Sequence, residues 1–583
     1  MKRLFVILLA VISLVSGAIA STPEIWFDAI AAPISLSSQD QQAMMKVLAD
    51  CTLGDIKASH EPFPSAVSED RGGRIVFVSL SDGKSKANVF RGEGLGLGSA
   101  IDCALTKIAG PSNGSKWTAI RLDIVESYRP LGDKAKLPSA LFAPGLDGLA
   151  TISDHAIALL PDELVAGRCI RETSKMRWDT LAEIVEPLGL KILDKSTNVF
   201  DLSAFAYTFT TQSFYTDGKT ILPIYRGHMA DMPVTQTMLM RAIRAGGDYL
   251  KQAVGSDGRF AYNYFPGDDE VGKDYNYVRH AGTIYSMCEV YQITRDPDLL
   301  ASIRRAVGYM LRQKRPSGAS AYILSDPSVT SLGVNALAAL ALAKYTEVTN
   351  DRQYVPLMIK LGRWMEQHLK KDGSFDHIID TSTGKASSKT CDYYPGEAAF
   401  AFIRIARIDK QAHWLNSAEK AAKHKIKTQS KLEDAKLPND QWLLYALNEL
   451  YRVRPKPEYM KHTQRLAKGE MIGQVLSAGH PDEIGRLRGK LQSNITAVEG
   501  LDAACALMRD FGSKKEAIAI RQSLQKAVQY QMQIQFQPES VIYYPNPQRA
   551  VGGVPKGFAN NIVRIDSVQH FLSGCIMYYR IIN

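Results

Sequence analysis

The sequence predicts a chain of two parts, a small α/β domain followed by an all-α ring of six helical hairpins, an (α/α)6 toroid. Three observations support this fold class. At 583 residues the chain exceeds what one hydrophobic core usually serves. Its first third alternates short apolar strands with helices, whereas every long segment after about residue 235 has helical periodicity. Those later helices come in pairs, one amphipathic and one apolar on all sides.

The N-terminus has the pattern of a secretory signal peptide. Lys2 and Arg3 precede an apolar run over 4–15, and a small-residue cleavage site ends at Ala20. The run is too short for a membrane span, and no later stretch reaches the ~18 apolar residues that a span needs. We therefore expect a periplasmic or secreted protein with a signal peptide at 1–20 and no stable membrane span after its removal. The alternative is an uncleaved N-terminal anchor.

Charge and cysteine spacing exclude several classes of function. The formal net charge is +10, but acidic residues are interleaved with the basic ones and no basic stripe carries aromatic residues. We therefore expect no nucleic-acid binding. The cysteines form no CxxC pair and none has a histidine at zinc-ligand spacing, so we expect no metal site. No phosphate-binding loop or other cofactor motif is present, and we expect no cofactor.

Residues 21–215 are predicted to form the α/β domain. Apolar, β-branched runs predict its strands, and longer amphipathic stretches predict its helices. The strands are expected over 73–80, 117–124, 155–160 and 205–214, and the helices over 99–108 and 178–188. A stretch rich in turn residues, 216–235, is expected to be a linker to the toroid at 236–583.

Short motifs accompany the elements of the α/β domain. A glycine pair at 72–73 opens the first strand, Gly-Leu-Asp-Gly-Leu stands at 145–149, and the third strand ends in Leu-Leu-Pro at 159–161. A Trp-led helix and a strand with Thr-Gln-Ser-Phe at 211–214 follow. In this order the segment resembles the AMMECR-type domain, which implies an α/β fold and says little about function. The Arg-Gly-Cys-Ile-Gly run of that family is replaced here by Phe-Arg-Gly-Glu-Gly at 90–94.

The ring is predicted from a repeat of two helix types. Amphipathic outer helices are expected to begin near residues 238, 299, 354, 414, 458 and 515. More uniformly apolar inner helices are expected to begin near residues 278, 331, 395, 440, 498 and 568. A helix that is apolar all round is buried on all sides, as the inner of two concentric rings must be. Six pairs favour a closed ring, and the alternative is an open helical solenoid.

Polar side chains gather where the inner helices begin. In a toroid these helices start at one face, so their first residues surround a bowl. Capping explains Ser331 and Asp440, but histidine gains nothing at the positive end of a helix. The helix starts hold His280, Ser331, Glu397, Asp440, Glu499 and His570, and the loops before them add Asp274, Tyr275, Asn276, Asp392, Tyr393, Tyr394 and Asp566.

Two turns of the form Asp-Gly-x-aromatic, at 257–260 and 372–375, lie between predicted helices. With these loops the segment 236–583 resembles the six-hairpin glycosidases and the related uronate epimerases and lyases. The resemblance implies a glycan-active protein with its site in the bowl. No catalytic motif of those families maps onto this chain residue by residue. The residues expected to bind the glycan are Tyr275, Asn276, Arg279, Tyr393, Tyr394, Asp440, Asp566 and His570.

Three functions fit this bowl. A glycoside hydrolase, the first choice, needs a carboxylic acid and a carboxylate about 6.5–9.5 Å apart if it inverts. The expected pair is Asp274 or Asp392 with Glu397 or Glu499.

The second function is that of a uronate lyase or epimerase. Such an enzyme abstracts a proton α to a carboxylate, with Tyr or His as base and acid. Tyr275, Asn276, Arg279 and His280 would serve it. The third function is that of a glycan-binding or scaffold protein without catalysis.

Overall fold

The computed structural model describes residues 27–53, 59–109, 116–131, 142–152, 157–171, 173–197, 199–489 and 491–582. The predicted signal peptide at 1–20 lies outside the described residues and stays a prediction. The chain divides into two compact units. The first comprises the residues up to Leu164 together with Lys175–Arg226, and the second comprises Val165–Ser174 together with the residues from Gly227 on.

The first unit is built on an antiparallel sheet. Its strands are β1 (Gly73–Ser81), β2 (Asn88–Leu95), β3 (Ala119–Pro130), β4 (Gly148–Thr151), β5 (Ala158–Leu159), β6 (Leu193–Asp194), β7 (Val199–Phe200), β8 (Phe205–Thr216) and β9 (Ile221–Tyr225). The order is β9-β8-β3-β1-β2, β4 pairs with β8 and with β5, and β6 and β7 form a separate ribbon. Val76, Leu122 and Phe214 of the sheet share one core with side chains of the helices α1 (Ser38–Thr52) and α2 (Leu97–Ile108).

The α/β class predicted for this region is confirmed. Three of the four expected strands are β1, β3 and β8, and the expected helices are α2 and, after α3 (Pro161–Ala166), α4 (Trp178–Val185). Of the strand expected over 155–160 only β5 forms, and residues 155 and 156 lie outside the described residues. A one-turn helix at Ser65–Ser68 completes the unit. The resemblance to the AMMECR-type domain stays a prediction.

The structure corrects the linker predicted over 216–235, because strands occupy part of this stretch. β8 runs to Thr216, and β9 pairs with it in antiparallel register, Ser213 opposite Ile224. The short strand β10 (His228–Met229) follows. The turn residues that suggested a linker, Asp217 and Gly218, form a tight hairpin turn in which Gly218 has a φ of +81°.

Over its described residues, the second unit contains twelve long helices in two sets. The outer set is α5 (Gln236–Ala253), α7 (Pro297–Leu311), α9 (Val355–Gln367), α11 (His413–Gln429), α13 (Pro457–Met471) and α15 (Lys514–Ile534). The inner set is α6 (Tyr277–Thr294), α8 (Leu332–Thr349), α10 (Tyr394–Asp409), α12 (Gln441–Val453), α14 (Leu491–Phe511) and α16 (Ile565–Ile582).

The inner helices form a closed ring. Each packs against the next in the order α6, α8, α10, α12, α14, α16, and α16 packs against α6. Each outer helix packs against the inner helix that precedes it in the chain, and α5 packs against α16. This circular packing confirms the (α/α)6 toroid and excludes the open solenoid, whose first and last repeats do not meet.

Helix starts agree with the prediction to within three residues except in α14, which begins at Leu491 rather than near 498. Its first turns hold polar residues that suggested a loop. The buried side chain of Asn494 instead accepts a hydrogen bond from the backbone N–H of Leu487, so the helix starts earlier. Glu499 therefore lies two turns inside α14 and not at its start.

Short strands precede several inner helices. They are β11 (Asn263–Phe265), β12 (Glu270–Val271), β13 (Lys314–Ser317), β14 (Ser320–Asp326), β15 (Val329–Ser331), β16 (Ile378–Asp380), β17 (Pro555–Gly557) and β18 (Asn560–Arg564). A single-turn helix at Pro547–Ala550 lies before β17. β18 pairs with β11 and runs directly into α16, which fixes the position of the first residues of that helix.

The two Asp-Gly-x-Phe turns have a structural role. Gly258 and Gly373 have φ values of +88° and +92°, and a Cβ at either would lie within 2.5 Å of a backbone carbonyl oxygen of an outer helix. Only glycine allows both this conformation and this approach. Asp257 and Asp372 accept hydrogen bonds from the backbone two residues on, so these motifs shape loops.

Candidate functional site

A cavity of about 320 Å³ opens at the N-terminal ends of the inner helices. All six inner helices, or the residues just before them, contribute to its wall. Its lining residues are Asn276, Val278, Arg279, Leu337, Cys391, Tyr393, Tyr394, Glu397, Gln441, Trp442, Thr496, Arg564, Asp566, Gln569 and His570. Partial positive charge from six helix N-termini is directed at this end of the ring.

Glu397 is the acidic group of one wall. It lies in the first turn of α10 and is 4% exposed, and its Oε2 has no hydrogen-bond partner among the described residues. Burial, together with the charge of Asp440, raises the pKa of the Glu397 carboxyl well above its ordinary value. The group therefore carries its proton to higher pH than an exposed glutamate does.

Gly333 leaves room for this wall. A Cβ at that position would lie 2.3 Å from Cε1 of Tyr394 and 2.9 Å from Oε2 of Glu397. Burial raises the pKa of the Tyr394 phenol to about 12, so the phenol is neutral at physiological pH. The glycine in α8 thus sets where the side chains of α10 enter the cavity.

A histidine held by a buried carboxylate occupies another part of the wall. Nδ1 of His570 lies 2.7 Å from Oε2 of Glu499, and the hydroxyl of Tyr445 donates to Oε1 of Glu499 at 2.9 Å. Glu499 is fully buried. A carboxylate on Nδ1 favours the tautomer with its proton on Nδ1, which leaves Nε2 as the basic nitrogen. Trp442 packs edge-on against the imidazole, with ring centroids 6.3 Å apart.

Two arginines and an aspartate form a third group, at the start of α16. Arg564 binds Asp566 through Nε and Nη2, and Nε of Arg279 lies 2.8 Å from Oδ2 of Asp566. Burial alone would raise the pKa of the Asp566 carboxyl. The Arg564 hydrogen bonds and the positive charges of both arginines outweigh burial and hold that pKa below its ordinary value. Asp566 is therefore a carboxylate that fixes two guanidinium groups.

Gln441 adds an unpaired acceptor. It is 3% exposed, lines the cavity, and its Oε1 has no hydrogen-bond partner within the described part of the chain. A buried carbonyl oxygen without a partner costs about 1–3 kcal/mol. With Oε2 of Glu397 it forms a pair of buried polar atoms that a ligand with hydroxyl groups can satisfy.

The structure brings seven of the sequence-predicted site residues to this cavity. Their chemical roles stay predictions. They are Asn276, Arg279, Tyr393, Tyr394, Glu397, Asp566 and His570. Glu499 is not in the wall but lies behind it, bound to His570.

The structure corrects the position predicted for His280, which was expected in the wall of the bowl. His280 is fully buried, and its ring faces away from the cavity toward the outer helix α7, where Nε2 lies 2.9 Å from the carbonyl oxygen of Ala306. Nδ1 lies 2.6 Å from the hydroxyl of Tyr275, which also accepts from the backbone N–H of Phe260. Burial lowers the pKa of His280 to about 4. His280 and Tyr275 therefore join α6 to its surroundings and do not line the cavity.

The three predicted aspartates before the helices are also absent from the wall. Asp274 and Asp392 are exposed. Asp440 is buried as the N-cap of α12, where Oδ1 accepts from the N–H of Leu443 at 3.0 Å and Oδ2 lies 3.3 Å from Nζ of Lys425. Its charge acts on the cavity from behind the wall, where it contributes to the raised pKa values of Glu397 and Tyr393.

Sequence reasoning missed several lining residues, and each had a weak signal. Gln441 and Trp442 directly follow the predicted cap of α12, and Arg564 and Gln569 flank residues that had been chosen. Thr496 was hidden because the start of α14 was placed too late. Val278, Leu337 and Cys391 carry no charge and gave no reason to be selected.

No protein-family model matches the chain, and no curated protein has a significantly similar sequence. Solved structures are similar to it at low identity. A D-mannose isomerase is 14% identical, covers 60% of this chain and 99% of its own, with a TM-score of 0.45. An inactive α-1,6-mannanase, GH76A of Salegentibacter sp. HEL1_6 bound to α-1,6-mannotetrose, is 13% identical over 59% and 99% with a TM-score of 0.43. A heparin-specific unsaturated glucuronyl hydrolase is 11% identical over 60% and 98%, with a TM-score of 0.43.

Each of these proteins is named for an activity on a carbohydrate. At such identities the likeness concerns the fold only. For this chain the toroid is established by its own helix packing, and the site by its own cavity. Among the described residues no cluster of His, Cys, Asp and Glu could hold a metal ion, and no helix is long and apolar enough to cross a membrane.

Proposed function

We propose that this protein is a carbohydrate-active enzyme that works by proton transfer, with His570 as general base and Glu397 as general acid. The observation that carries the proposal is that one cavity holds an imidazole oriented by a buried carboxylate and a buried carboxyl group that keeps its proton. A cavity that holds an imidazole nitrogen free to accept a proton and a carboxyl group biased toward its protonated form is suited to acid–base chemistry.

His570 suits the role of base because Glu499 holds its other nitrogen. The hydrogen bond to Nδ1 orients the ring and stabilises the imidazolium that forms when Nε2 takes a proton. Tyr445 fixes Glu499 from behind, so the carboxylate cannot turn away. Glu499 acts through His570 and is a positioning residue.

Glu397 suits the role of acid because its proton is retained. In an epimerisation His570 would take a proton from a carbon of the sugar and Glu397 would return one to the opposite face. In an elimination Glu397 would instead protonate the departing glycosidic oxygen. Both schemes need an acid and a base in one cavity, and both leave the second carboxylate of a hydrolase unnecessary.

The surroundings of these groups favour a sugar as the ligand. The cavity volume is within the ~300–1,000 Å³ of small-molecule sites, enough for a sugar unit. Trp442 and Tyr393 present aromatic surface for a sugar ring. Oε1 of Gln441 can accept from a hydroxyl group, which would satisfy an atom that has no partner in the protein.

Hydrolysis is the second candidate, favoured by the raised pKa of Glu397, which a leaving-group acid also requires. The carboxylate pair predicted for it is not supported, because Asp274 and Asp392 are exposed and Glu499 is bound to His570. A hydrolase here would need His570 to activate water. Proton abstraction from carbon therefore has the stronger support.

An exported location is part of the proposal.

The test is product analysis in heavy water. The full chain is incubated in D2O with a panel of neutral and acidic oligosaccharides, and the products are examined by mass spectrometry and NMR. We expect one of two results: an epimer or isomer with deuterium bound to carbon, or an unsaturated elimination product that gains no water and holds its deuterium only on oxygen. Products that gain water at each cut and hold no carbon-bound deuterium would point to hydrolysis instead.

Variants assign the roles. His570→Gln should abolish both deuterium exchange and product formation, Glu397→Gln should abolish formation of the epimer or of the unsaturated product, and Glu499→Gln should reduce the rate and shift its pH profile. His413→Gln and Glu458→Gln, on the outer helices, serve as matched controls with unchanged exchange. If the His570 variant exchanges as fast as the wild type, or if no sugar reacts while one binds, the assignment of His570 as the base is wrong.

A further inference from the structure

The group formed by Arg279, Arg564 and Asp566 is not used in the acid–base scheme above. Its charges do not cancel, because two guanidinium groups share one carboxylate. Asp566 is buried, whereas 39% of the Arg279 side chain is exposed, and Arg279 lines the cavity. A surplus positive charge therefore faces the interior of the cavity.

The hydrogen bonds of Arg279 leave part of its guanidinium available. Nε binds Asp566 and Nη1 donates to the hydroxyl of Tyr262 at 2.7 Å, so the plane of the group is fixed from two sides. Nη2 has no hydrogen-bond partner among the described residues. On Arg564, Nε and Nη2 bind Asp566, and Nη1 has no hydrogen-bond partner within the described part of the chain. Fixed guanidinium groups of this kind match the two oxygens of a carboxylate.

No unprotonated acidic side chain of the cavity wall other than Asp566 lies among the described lining residues. Burial favours the protonated form of Glu397, and Glu499 lies behind the wall, hydrogen-bonded to His570 and Tyr445. The helix N-termini around the cavity add positive potential. A neutral sugar would leave two arginine nitrogens facing an uncharged ring. These nitrogens would then not make charge-assisted hydrogen bonds, which are their strongest interactions.

We infer that the substrate is a sugar acid whose carboxylate binds Arg279 and Arg564, with Asp566 fixing the two guanidinium groups. The inference rests on the proposed function and specifies its substrate class. A carboxylate acidifies the C–H bond next to it, and cations on its oxygens stabilise the charge that develops when His570 removes that proton. The same two arginines thus account for recognition and for activation of the carbon.

Binding is tested first with the unmodified protein and matched ligands. Isothermal titration of the full chain compares glucuronate and galacturonate oligosaccharides with their methyl esters and with the corresponding neutral oligosaccharides. We expect the free acids to bind at least about tenfold more tightly than the esters, as for a charge-assisted hydrogen bond. The preference should shrink as salt is added. Equal affinity for acid and ester would overturn the inference.

Variants locate the preference. Arg279→Gln should remove most of the difference between acid and ester, and Arg279→Lys should keep the charge but lose part of the difference because the fork is gone. Arg363→Gln, on the outer helix α9, is the matched control and should leave the preference intact. Circular dichroism and Tm confirm folding of each variant. If the folded Arg279→Gln variant still prefers the acid, the site is elsewhere.

Two failures are distinguishable. A protein that binds uronates by this rule but neither exchanges deuterium nor forms an unsaturated product keeps the substrate class and loses the acid–base proposal. A protein that exchanges deuterium only into neutral sugars keeps the acid–base proposal and loses the substrate class. Tight binding of a sulfated neutral sugar without binding of any uronate would also contradict the carboxylate assignment.

Discussion

The two ends of the inner ring differ in the partners that they give to acidic side chains. At the C-terminal end Arg404 pairs with Glu449 at 2.5 Å and with Glu347 at 3.2 Å, and Lys344 lies 3.5 Å from Glu347. At the N-terminal end Glu397 makes neither a hydrogen bond nor an ion pair with the described residues. The same helices α8 and α10 supply both ends. The comparison teaches that Glu449 and Glu347 share cations of neighbouring helices, whereas the carboxyl of Glu397 faces a cavity in which a ligand can become its partner.

The largest effect on activity is expected from His570→Ala. Without the base, kcat for the sugar identified by product analysis should fall about 10²- to 10⁴-fold. The Tm should also fall, but less than in Arg404→Ala, because the buried Glu499 loses one partner and keeps the hydrogen bond from Tyr445. Steady-state kinetics and calorimetry on one preparation measure both. A large loss of Tm with an unchanged kcat would mean that His570 has a structural role and is not the base.

Arg404→Ala should show the opposite pattern. It removes one partner of a buried pair and leaves Glu449 without its nearest cation, which costs about 3–5 kcal/mol of unfolding free energy. The guanidinium also packs over the ring of Phe400, 5.0 Å from its centroid. Urea unfolding measures the loss, and kcat per folded molecule should be kept. Arg407→Ala, an exposed neighbour 3.4 Å from Glu449, is the control and should cost under about 1 kcal/mol.

Gly333→Ala tests how tightly the cavity wall is packed. The added methyl group would meet the ring of Tyr394 at 2.3 Å, so the ring or the helix must shift, at about 1–3 kcal/mol. Ligand affinity should fall as well, because Tyr394 and Glu397 move together. Gly308→Ala in α7 has nothing within 4 Å and should instead stabilise by about 0.5–1 kcal/mol. Equal Tm shifts of the same sign in both variants would contradict the close contact.

The smallest expected effect is the pH dependence that Glu397 gives to stability. Its pKa is higher in the folded than in the unfolded chain, so the folded state binds more protons above about pH 4.5. The wild type therefore loses stability as the pH rises from there, and Glu397→Gln does not lose this part. The Tm difference between the two proteins should grow in favour of the variant between pH 4 and pH 8. A constant difference would mean that the carboxyl is ionised in the folded state.

Much of the ring could be predicted because the composition of an inner helix indicates that it is buried on all sides. Ala336 to Leu342 are apolar or small on every face, and only a helix enclosed on all sides can use such a segment. The start of α14 could not be predicted, since Asn494 satisfies a backbone N–H in the interior while its sequence neighbours suggest a loop. Local polarity did not reveal that distant contact.

The candidate site was predicted less completely for a geometric reason. Arg279 and His280 are adjacent in α6, and successive residues of a helix project about 100° apart. One faces the cavity, and the other hydrogen-bonds to the carbonyl of Ala306 in the outer helix. Sequence spacing identified the turn of the helix but not the direction of each side chain.

The sequence by itself determined the class of the fold, the paired helices and the gathering of polar residues near the inner helix starts. These follow from local composition and periodicity, which the chain carries at every point. Only the tertiary structure decided which of those residues meet. Packing of neighbouring inner helices brings Glu499 of α14 to His570 of α16, 71 positions apart, and Asp274 and Asp392 stay at the surface. The chemistry of the cavity depends on such pairings, because burial and partners set which group holds a proton and which takes one.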